Sequence, residues 1–106
     1  MAMRVLYDYE GRSIPLTDER LAHILEHPEM AGLESAIGDT LARPEMVVES
    51  LSDPQARLYY RFFVGTAVGD KYLCVVLKGA GENAFVLTAY LTDKVKRGVG
   101  IWPSKR

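Results

Sequence analysis

The sequence predicts an α+β fold in which an N-terminal β-hairpin and two helices pack on a roughly four-stranded antiparallel sheet. Three observations lead to this prediction. Apolar residues recur at helical spacing only in the first half of the chain. Beyond that half they form runs of strand length, and short turn-forming segments separate these runs. Short connections between consecutive strands favour antiparallel pairing. A length of 106 residues fits a single domain, residues 1–106.

The beginning of the chain carries the signals of a hairpin followed by a helix. Residues 3–7 alternate as a strand does, and residues 13–16 return as a short edge strand. Thr17 is a good N-cap residue. The first helix is predicted over residues 18–27, because Pro28 disfavours the α conformation in the residue before it.

The second helix and the sheet follow in that order. Leu33, Ile37 and Leu41 recur every four residues and predict a helix over residues 30–42, which Pro44 prevents from continuing. Four strands are predicted over residues 46–51, 58–64, 72–77 and 84–92. The third of these is a continuous apolar run, which is typical of a central strand covered on both faces.

The composition indicates an ordinary globular protein. Hydrophobic residues make up 48% and charged residues 25% of the chain. No apolar run approaches the length of a membrane span, and the first residues show no secretory signal, so we predict no membrane association. Cys74 is the only cysteine, which excludes an internal disulfide. Its apolar neighbours predict a buried thiol in a reducing compartment, and therefore a cytoplasmic protein.

Charge is distributed unevenly along the chain, although the net charge is only −1. Residues 1–56 carry four basic and eleven acidic side chains, whereas residues 57–106 carry nine basic and three acidic ones. Such asymmetry is a hint of a surface that binds polyanions. The alternative is that the two halves neutralise each other across the fold. The densest basic stretch, residues 94–97, is also compatible with a merely solvated segment.

Both histidines lie close together, at His23 and His27. Four residues are about one helical turn, so both imidazoles are expected on one side of the first helix. Histidine titrates near neutral pH, and the helix C-terminus favours its protonated form, which makes His27 a candidate acid or base. Two surface histidines without a role remain an alternative. A shared zinc ion is a weaker one, because only one cysteine is available and no Glu follows His23; we predict no metal and no cofactor.

The last predicted strand has two different faces. Its apolar face consists of Phe85, Leu87, Ala89 and Leu91. Thr88, Tyr90 and Thr92 share the other face, and the basic cluster follows directly. We therefore predict a polar, positively charged stripe that joins Thr88 and Tyr90 to Lys94 and Lys96. An ordinary solvated strand face is the alternative, because Thr and Tyr are good strand formers.

Four segments carry a resemblance to a known family. They are residues 23–29 (HILEHPE), 58–61 (LYYR), 71–78 (KYLCVVLK) and 88–94 (TAYLTDK). Their order resembles a small nuclease family of the barnase–EndoU–colicin–RelE superfamily, of the sort found in phage polyvalent proteins and as standalone bacterial proteins. The resemblance implies N-terminal helices on a four-stranded antiparallel sheet of the RelE/barnase type. It also implies RNA cleavage without a metal.

Such cleavage needs a base for the 2′-hydroxyl proton, an acid for the leaving 5′-oxygen and cations around the phosphate. Alongside the resemblance, we assign catalytic roles to His27, as principal acid or base, and to His23, Thr88 and Lys78. We assign phosphate contacts to Arg61, Tyr90, Lys94 and Lys96. These assignments require that the end of the first helix and the polar stripe share one groove.

The predicted function is that of a metal-independent endoribonuclease, toxin-like in character, with RNA as substrate and an inhibitor or antitoxin protein as a candidate partner. A noncatalytic protein-interaction domain and an RNA-binding module of the same fold are the alternatives, since one fold hosts many activities. The sequence leaves the RNA target and the oligomeric state open.

Overall fold

Seven strands and two α-helices follow one another along residues 2–79 and 81–103, which the computed structural model describes. The strands are β1 (Met3–Tyr7), β2 (Ser13–Thr17), β3 (Met46–Ser50), β4 (Ala56–Thr66), β5 (Gly69–Lys78), β6 (Phe85–Thr92) and β7 (Gly98–Trp102). The helices are α1 (Asp18–Leu25) and α2 (Glu34–Ala42). Across these described ranges, no helix has the length and apolar character needed to cross a membrane.

The strands form a hairpin and a larger antiparallel sheet. Strand β1 pairs with β2, and the larger sheet has the order β6-β5-β4-β3-β7. The predicted α+β class with an N-terminal hairpin is therefore confirmed, but the sheet has five strands rather than four. The additional strand is β7, which pairs with the free edge of β3. The sequence analysis missed it because Gly98 and Gly100 have low strand propensity.

The helices cover one face of the five-stranded sheet, which we call the helical face. Its core residues come from both helices and from the strands below them: Leu21, Ile24, Ile37, Leu41, Val47, Tyr59, Leu73, Val75, Leu77, Val86 and Ala89. The opposite side, here the open face, carries a second apolar cluster built on Leu58, Tyr60, Cys74 and Val76. The run 73–77 in β5 is buried throughout, which confirms a central strand covered on both sides.

A short connection partly covers the open face. Strands β6 and β7 lie at opposite edges of the sheet, so residues 93–97, the crossing segment, must pass over the strands between them. Val95 packs against the apolar cluster of the open face. The backbone N–H of Lys96 donates to Tyr60 Oη at 3.0 Å. These two contacts fasten the segment to the middle of the sheet.

The helix boundaries differ from the prediction at one end of each helix. The N-cap of α1 is confirmed, because Thr17 Oγ1 accepts from Arg20 N at 3.2 Å. However, α1 ends at Leu25, and His27 has the extended backbone that a residue before proline favours. A 3₁₀ turn, Pro28–Met30, follows, and α2 begins only at Glu34. His27 therefore lies beyond the helix C-terminus and not within its last turn.

A β-bulge changes the faces of the last long strand of the meander. The register of β6 against β5 shifts between the pairs Val76–Thr88 and Leu77–Val86. As a result, Val86 and not Leu87 faces the helices, while Leu87 packs on the open face. The predicted assignment of β6 side chains to the two faces of the sheet is therefore correct after the bulge and inverted before it. One extra residue in a strand exchanges the faces to which the following side chains point.

Candidate functional site

A cleft of about 390 Å³ lies on the open face, between the crossing segment and the loop that joins β3 to β4. It is lined by Ser50, Leu51, Ser52, Asp53, Ala56, Leu58, Val76, Thr88, Tyr90, Lys96 and Arg97. Side chains of the central strands form an apolar floor, and hydroxyl and charged groups surround it. We call this feature the open-face cleft.

Cationic side chains of the crossing segment stand beside the cleft. Lys96 and Arg97 line it, and Lys94 is exposed two residues earlier. Among the ion pairs of the described residues, none involves these three side chains, whereas Lys71 and Lys78 are both paired. No described ion pair therefore compensates their charge, which favours an anionic ligand at this place.

Two tyrosines and a cysteine are neighbours under the crossing segment. Cys74 pairs with Tyr60 on one side and with Tyr90 on the other in the strand register. Burial raises the pKa of Tyr60 to about 12, and burial likewise raises the pKa of Tyr90 and of the Cys74 thiol above their usual values. All three groups are neutral at pH 7. Tyr90, which lines the cleft, is thus a neutral hydroxyl that can donate a hydrogen bond there.

Asp53, one of the residues that line the cleft, forms an ion pair with Lys78. Asp53 accepts a hydrogen bond from Lys78 Nζ, and its other oxygen accepts from Gln55 N at 3.0 Å. The hydrogen bond from Lys78 is the main reason why the pKa of Asp53 lies below its ordinary value. The carboxylate of Asp53 is therefore ionised at neutral pH.

Part of the predicted site is gathered at this cleft. Thr88, Tyr90 and Lys96 line it directly, as the predicted polar stripe requires. Lys78 is linked to it through its pair with Asp53. Lys94 lies in the crossing segment without lining the cleft.

The remaining predicted residues lie elsewhere. Arg61 lies two residues after Tyr59 in β4, so its side chain is on the same side of the sheet, the helical face. Its Nη1 donates to the carbonyl oxygen of Arg43 at 2.7 Å. His23 lies on an exposed part of α1, with its Nδ1 3.6 Å from Glu26 Oε1. His27 is exposed after that helix.

The structure does not bring the histidines and the polar stripe into one groove. The helices pack on the side of the sheet opposite Thr88 and Tyr90, and no histidine lines the open-face cleft. The catalytic assignments made from the sequence require a shared groove, and this requirement is not met. The polar side chains of β6 point to the side of the sheet that faces away from the helices. The catalytic roles of His23 and His27 stay predictions.

The sequence analysis also missed residues that the cleft contains. Ser50 ends β3, and Ser52 and Asp53 belong to the turn that follows it; a turn sequence gives no indication of the strand face toward which it folds. Arg97 was within the recognised basic cluster, so its charge was a usable signal.

A separate polar cluster joins the hairpin to the helical face. The buried carboxylate of Asp8 accepts from Arg12 Nε at 2.9 Å and from Tyr59 Oη at 3.0 Å. Arg12 Nη2 also donates to Tyr59 Oη at 3.0 Å. Burial raises the pKa of Tyr59 well above its usual value. These groups satisfy one another's hydrogen bonds, which makes the cluster a structural element of the fold.

Neither metal ligation nor similarity to known proteins assigns a role to any further residue of the described chain. Within residues 2–79 and 81–103, no three His, Cys, Asp or Glu side chains are grouped closely enough to hold a metal ion. Comparison of the chain with family models, with curated proteins and with solved structures finds no match.

Proposed function

We propose that this protein binds RNA and cleaves it without a metal, with the phosphodiester held in the open-face cleft. The observation that carries the proposal is the meeting of two unpaired cations, Lys96 and Arg97, with the hydroxyls of Thr88 and Tyr90 at one cleft. Phosphate oxygens accept from such groups, and cations supply most of the affinity for a nucleic-acid backbone. The resemblance to small nucleases supports the same substrate class.

The proposed chemistry follows from the protonation states of the cleft. The 2′-oxygen attacks phosphorus and loses its proton, and the departing 5′-oxygen gains one, which leaves a 2′,3′-cyclic phosphate. Of the described residues that line the cleft, Asp53 is the one carboxylate, so it is the candidate acceptor of the first proton, in exchange for its hydrogen bond from Lys78. Tyr90 and Lys96 are the candidate donors of a proton to the leaving oxygen. Lys96 and Arg97 would also stabilise the charge that develops on the phosphate.

This assignment differs from the one made on the sequence, and one variant separates them. If the cleft carries the chemistry, His27→Ala cleaves RNA at a rate close to that of the parent protein. If His27 is the acid or base, the same variant loses at least about 100-fold in rate. The substitution is on an exposed residue, so it leaves the fold intact.

The decisive experiment incubates the purified protein with mixed single-stranded RNA in EDTA and analyses the product ends. We expect cyclic-phosphate ends, and we expect DNA of the same sequence to survive because it lacks the nucleophile. Tyr90→Phe and Lys96→Ala should slow cleavage. Arg43→Ala, which removes an exposed cation at the end of α2, is the matched control and should not.

Two other outcomes point to different functions. RNA that is bound but never cut would favour the noncatalytic RNA-binding alternative. An absence of RNA binding even at low salt would contradict the proposal as a whole and favour a protein-interaction domain.

We also infer a cytoplasmic location, because the single cysteine is a buried free thiol. A toxin-like role predicts that expression slows bacterial growth and that Tyr90→Phe relieves the effect. An inhibitor protein is expected to compete with RNA for the open-face cleft.

A further inference from the structure

A second depression lies on the open face, on the other side of the crossing segment. It encloses about 490 Å³ above β3 and β7. Its lining consists of Met46, Val48, Val95, Lys96, Arg97, Gly98, Gly100, Trp102 and Pro103. We call it the β7 hollow. Its lining is mainly apolar, and its charged groups are the same two cations that line the open-face cleft.

The hollow exists because β7 contributes glycines to it. At Gly98 a Cβ atom would lie 2.3 Å from the carbonyl oxygen of Glu49, so this position admits no side chain without a shift of backbone. At Gly100 a Cβ atom would meet nothing within 4 Å. The close approach of the Glu49 backbone therefore explains why residue 98 is glycine. At residue 100, glycine leaves a space in the hollow that the side chain of any larger residue would fill.

Lys96 and Arg97 connect the two depressions. Each of these residues lines both the cleft and the hollow, so the sites adjoin across the crossing segment. A ligand that places an anionic group against these cations can lay an attached apolar group in the hollow. A nucleotide has this construction, because its flat base is joined to a phosphate through the sugar.

We propose that the β7 hollow binds a nucleobase of the RNA strand whose phosphate lies in the open-face cleft. The inference rests on the proposed function and adds to it a subsite that contacts bases. The face of the base would lie on the apolar floor of Met46 and Val48, and the guanidinium of Arg97 can stack against a base as well as contact a phosphate. This subsite would make affinity depend on the bases and not on the backbone alone.

Filling the hollow tests the inference. The probes are a 2′-O-methyl RNA oligomer, which resists cleavage by 2′-oxygen attack, and an abasic oligomer of equal length and charge. We expect Gly100→Val to weaken binding of the base-containing oligomer by about tenfold and to leave abasic binding unchanged, with Gly100→Ala intermediate. Valine suits a strand, so the fold should persist. Val99→Leu, at an exposed neighbour that does not line the hollow, is the matched control.

Trp102 gives an independent readout, because it is the only tryptophan and it lines the hollow. Its emission should change on binding of the base-containing oligomer and not of the abasic one. Parental affinity of Gly100→Val for both oligomers, together with weakened binding in Lys96→Ala, would overturn the hollow as a base site and leave the cleft in place. Failure of the parent protein to bind either oligomer would overturn the proposed function and this inference together.

Discussion

At the scale of single residues, the most densely bonded group is the carboxylate of Asp8. Its side chain is fully buried, and its Oδ1 accepts from the backbone N–H groups of Glu10 and Arg12. Its Oδ2 holds Arg12 and Tyr59, which ties the β1–β2 turn to the middle of the sheet. A buried charge is tolerated only when it is paired and fully hydrogen-bonded, and this group meets both conditions.

Removal of this carboxylate should be costly. Asp8→Ala leaves Arg12 and the Tyr59 hydroxyl without their partner, and we expect it to lower the free energy of unfolding by about 3–5 kcal/mol. Denaturant unfolding measures the loss. Asp39→Ala removes the carboxylate of an exposed ion pair with Arg43 and should cost less than about 1 kcal/mol. Equal effects of the two substitutions would contradict the structural role of the Asp8 cluster.

The buried tyrosines predict an alkaline limit of stability. The pKa values of Tyr59, Tyr60 and Tyr90 are raised, mainly by burial, so the unfolded chain loses these protons at lower pH than the folded one. Their contribution is fully present below the usual tyrosine pKa of 10.0 and is lost as the pH rises toward about 12, where Tyr60 titrates in the folded protein.

Denaturant unfolding measured from pH 8 upward, together with tyrosinate absorbance, checks this prediction. The free energy of unfolding should decline above pH about 10, and Tyr60→Phe should make the decline shallower. Tyr7→Phe is the control, because the Tyr7 side chain is exposed. A flat profile through this range would show that the burial of these phenols does not affect stability.

At the scale of elements, the crossing segment depends on few contacts. It is short, and its described hydrogen bonds to the sheet are those of Asp93 with Lys71 Nζ, of Lys94 with Thr92 Oγ1 and of Lys96 N with Tyr60 Oη. Because Lys96 and Arg97 line both depressions, the position of this segment sets the shape of each.

Loss of the hydrogen bond from Lys96 N to Tyr60 Oη should loosen the crossing segment without unfolding the protein. We expect Tyr60→Phe to cost about 1 kcal/mol of stability and to speed amide exchange across residues 93–97. Hydrogen-exchange mass spectrometry gives the measurement. Tyr72→Phe is the matched control, because Tyr72 packs edge-on against Tyr60 with ring centroids 6.2 Å apart. Unchanged exchange in Tyr60→Phe would mean that the hydrogen bond to Tyr60 does not hold the segment in place.

The N-cap of α1 gives a second prediction at this scale. Thr17→Ala removes the acceptor for Arg20 N and should lower the free energy of unfolding by about 1 kcal/mol. Thr17→Ser retains the hydroxyl and should restore most of the loss. Thermal unfolding of both variants compares them, and equal losses would show that the cap contributes nothing.

At the scale of the whole molecule, the two oppositely charged halves of the chain neutralise each other only in part. Among the described residues, two ion pairs join residues 1–56 to residues 57–106: Asp53 with Lys78, and Glu10 with Arg57 at 3.9 Å. The cations of the crossing segment make no such pair. The net charge of −1 therefore conceals a local positive surface.

That surface predicts a steep dependence of RNA binding on salt. If Lys94, Lys96 and Arg97 each neutralise one phosphate, the logarithm of affinity should fall with the logarithm of salt concentration with a slope of about −2. Replacing all three by alanine should bring the slope close to zero. Fluorescence anisotropy at several salt concentrations measures it. A slope that the triple substitution does not change would remove the crossing segment from the binding surface.

The sequence by itself determined the class of fold and most of the elements. The helical spacing of Leu33, Ile37 and Leu41, the cap at Thr17 and the apolar run of β5 are local signals, and each is borne out by the structure. Local signals suffice there because a helix or a strand is specified by residues that are near one another in the chain.

Only the tertiary structure decided which side chains meet. Pairing of β7 with β3, the bulge in β6 and the path of the crossing segment all depend on contacts between distant residues, and a shift of one residue exchanges the faces of a strand. For this reason the stripe of Thr88, Tyr90 and Lys96 could be predicted from its spacing, whereas its separation from the histidines could not. The partners of that stripe, in Arg97, Asp53 and the β7 hollow, became visible only when the strands were placed side by side.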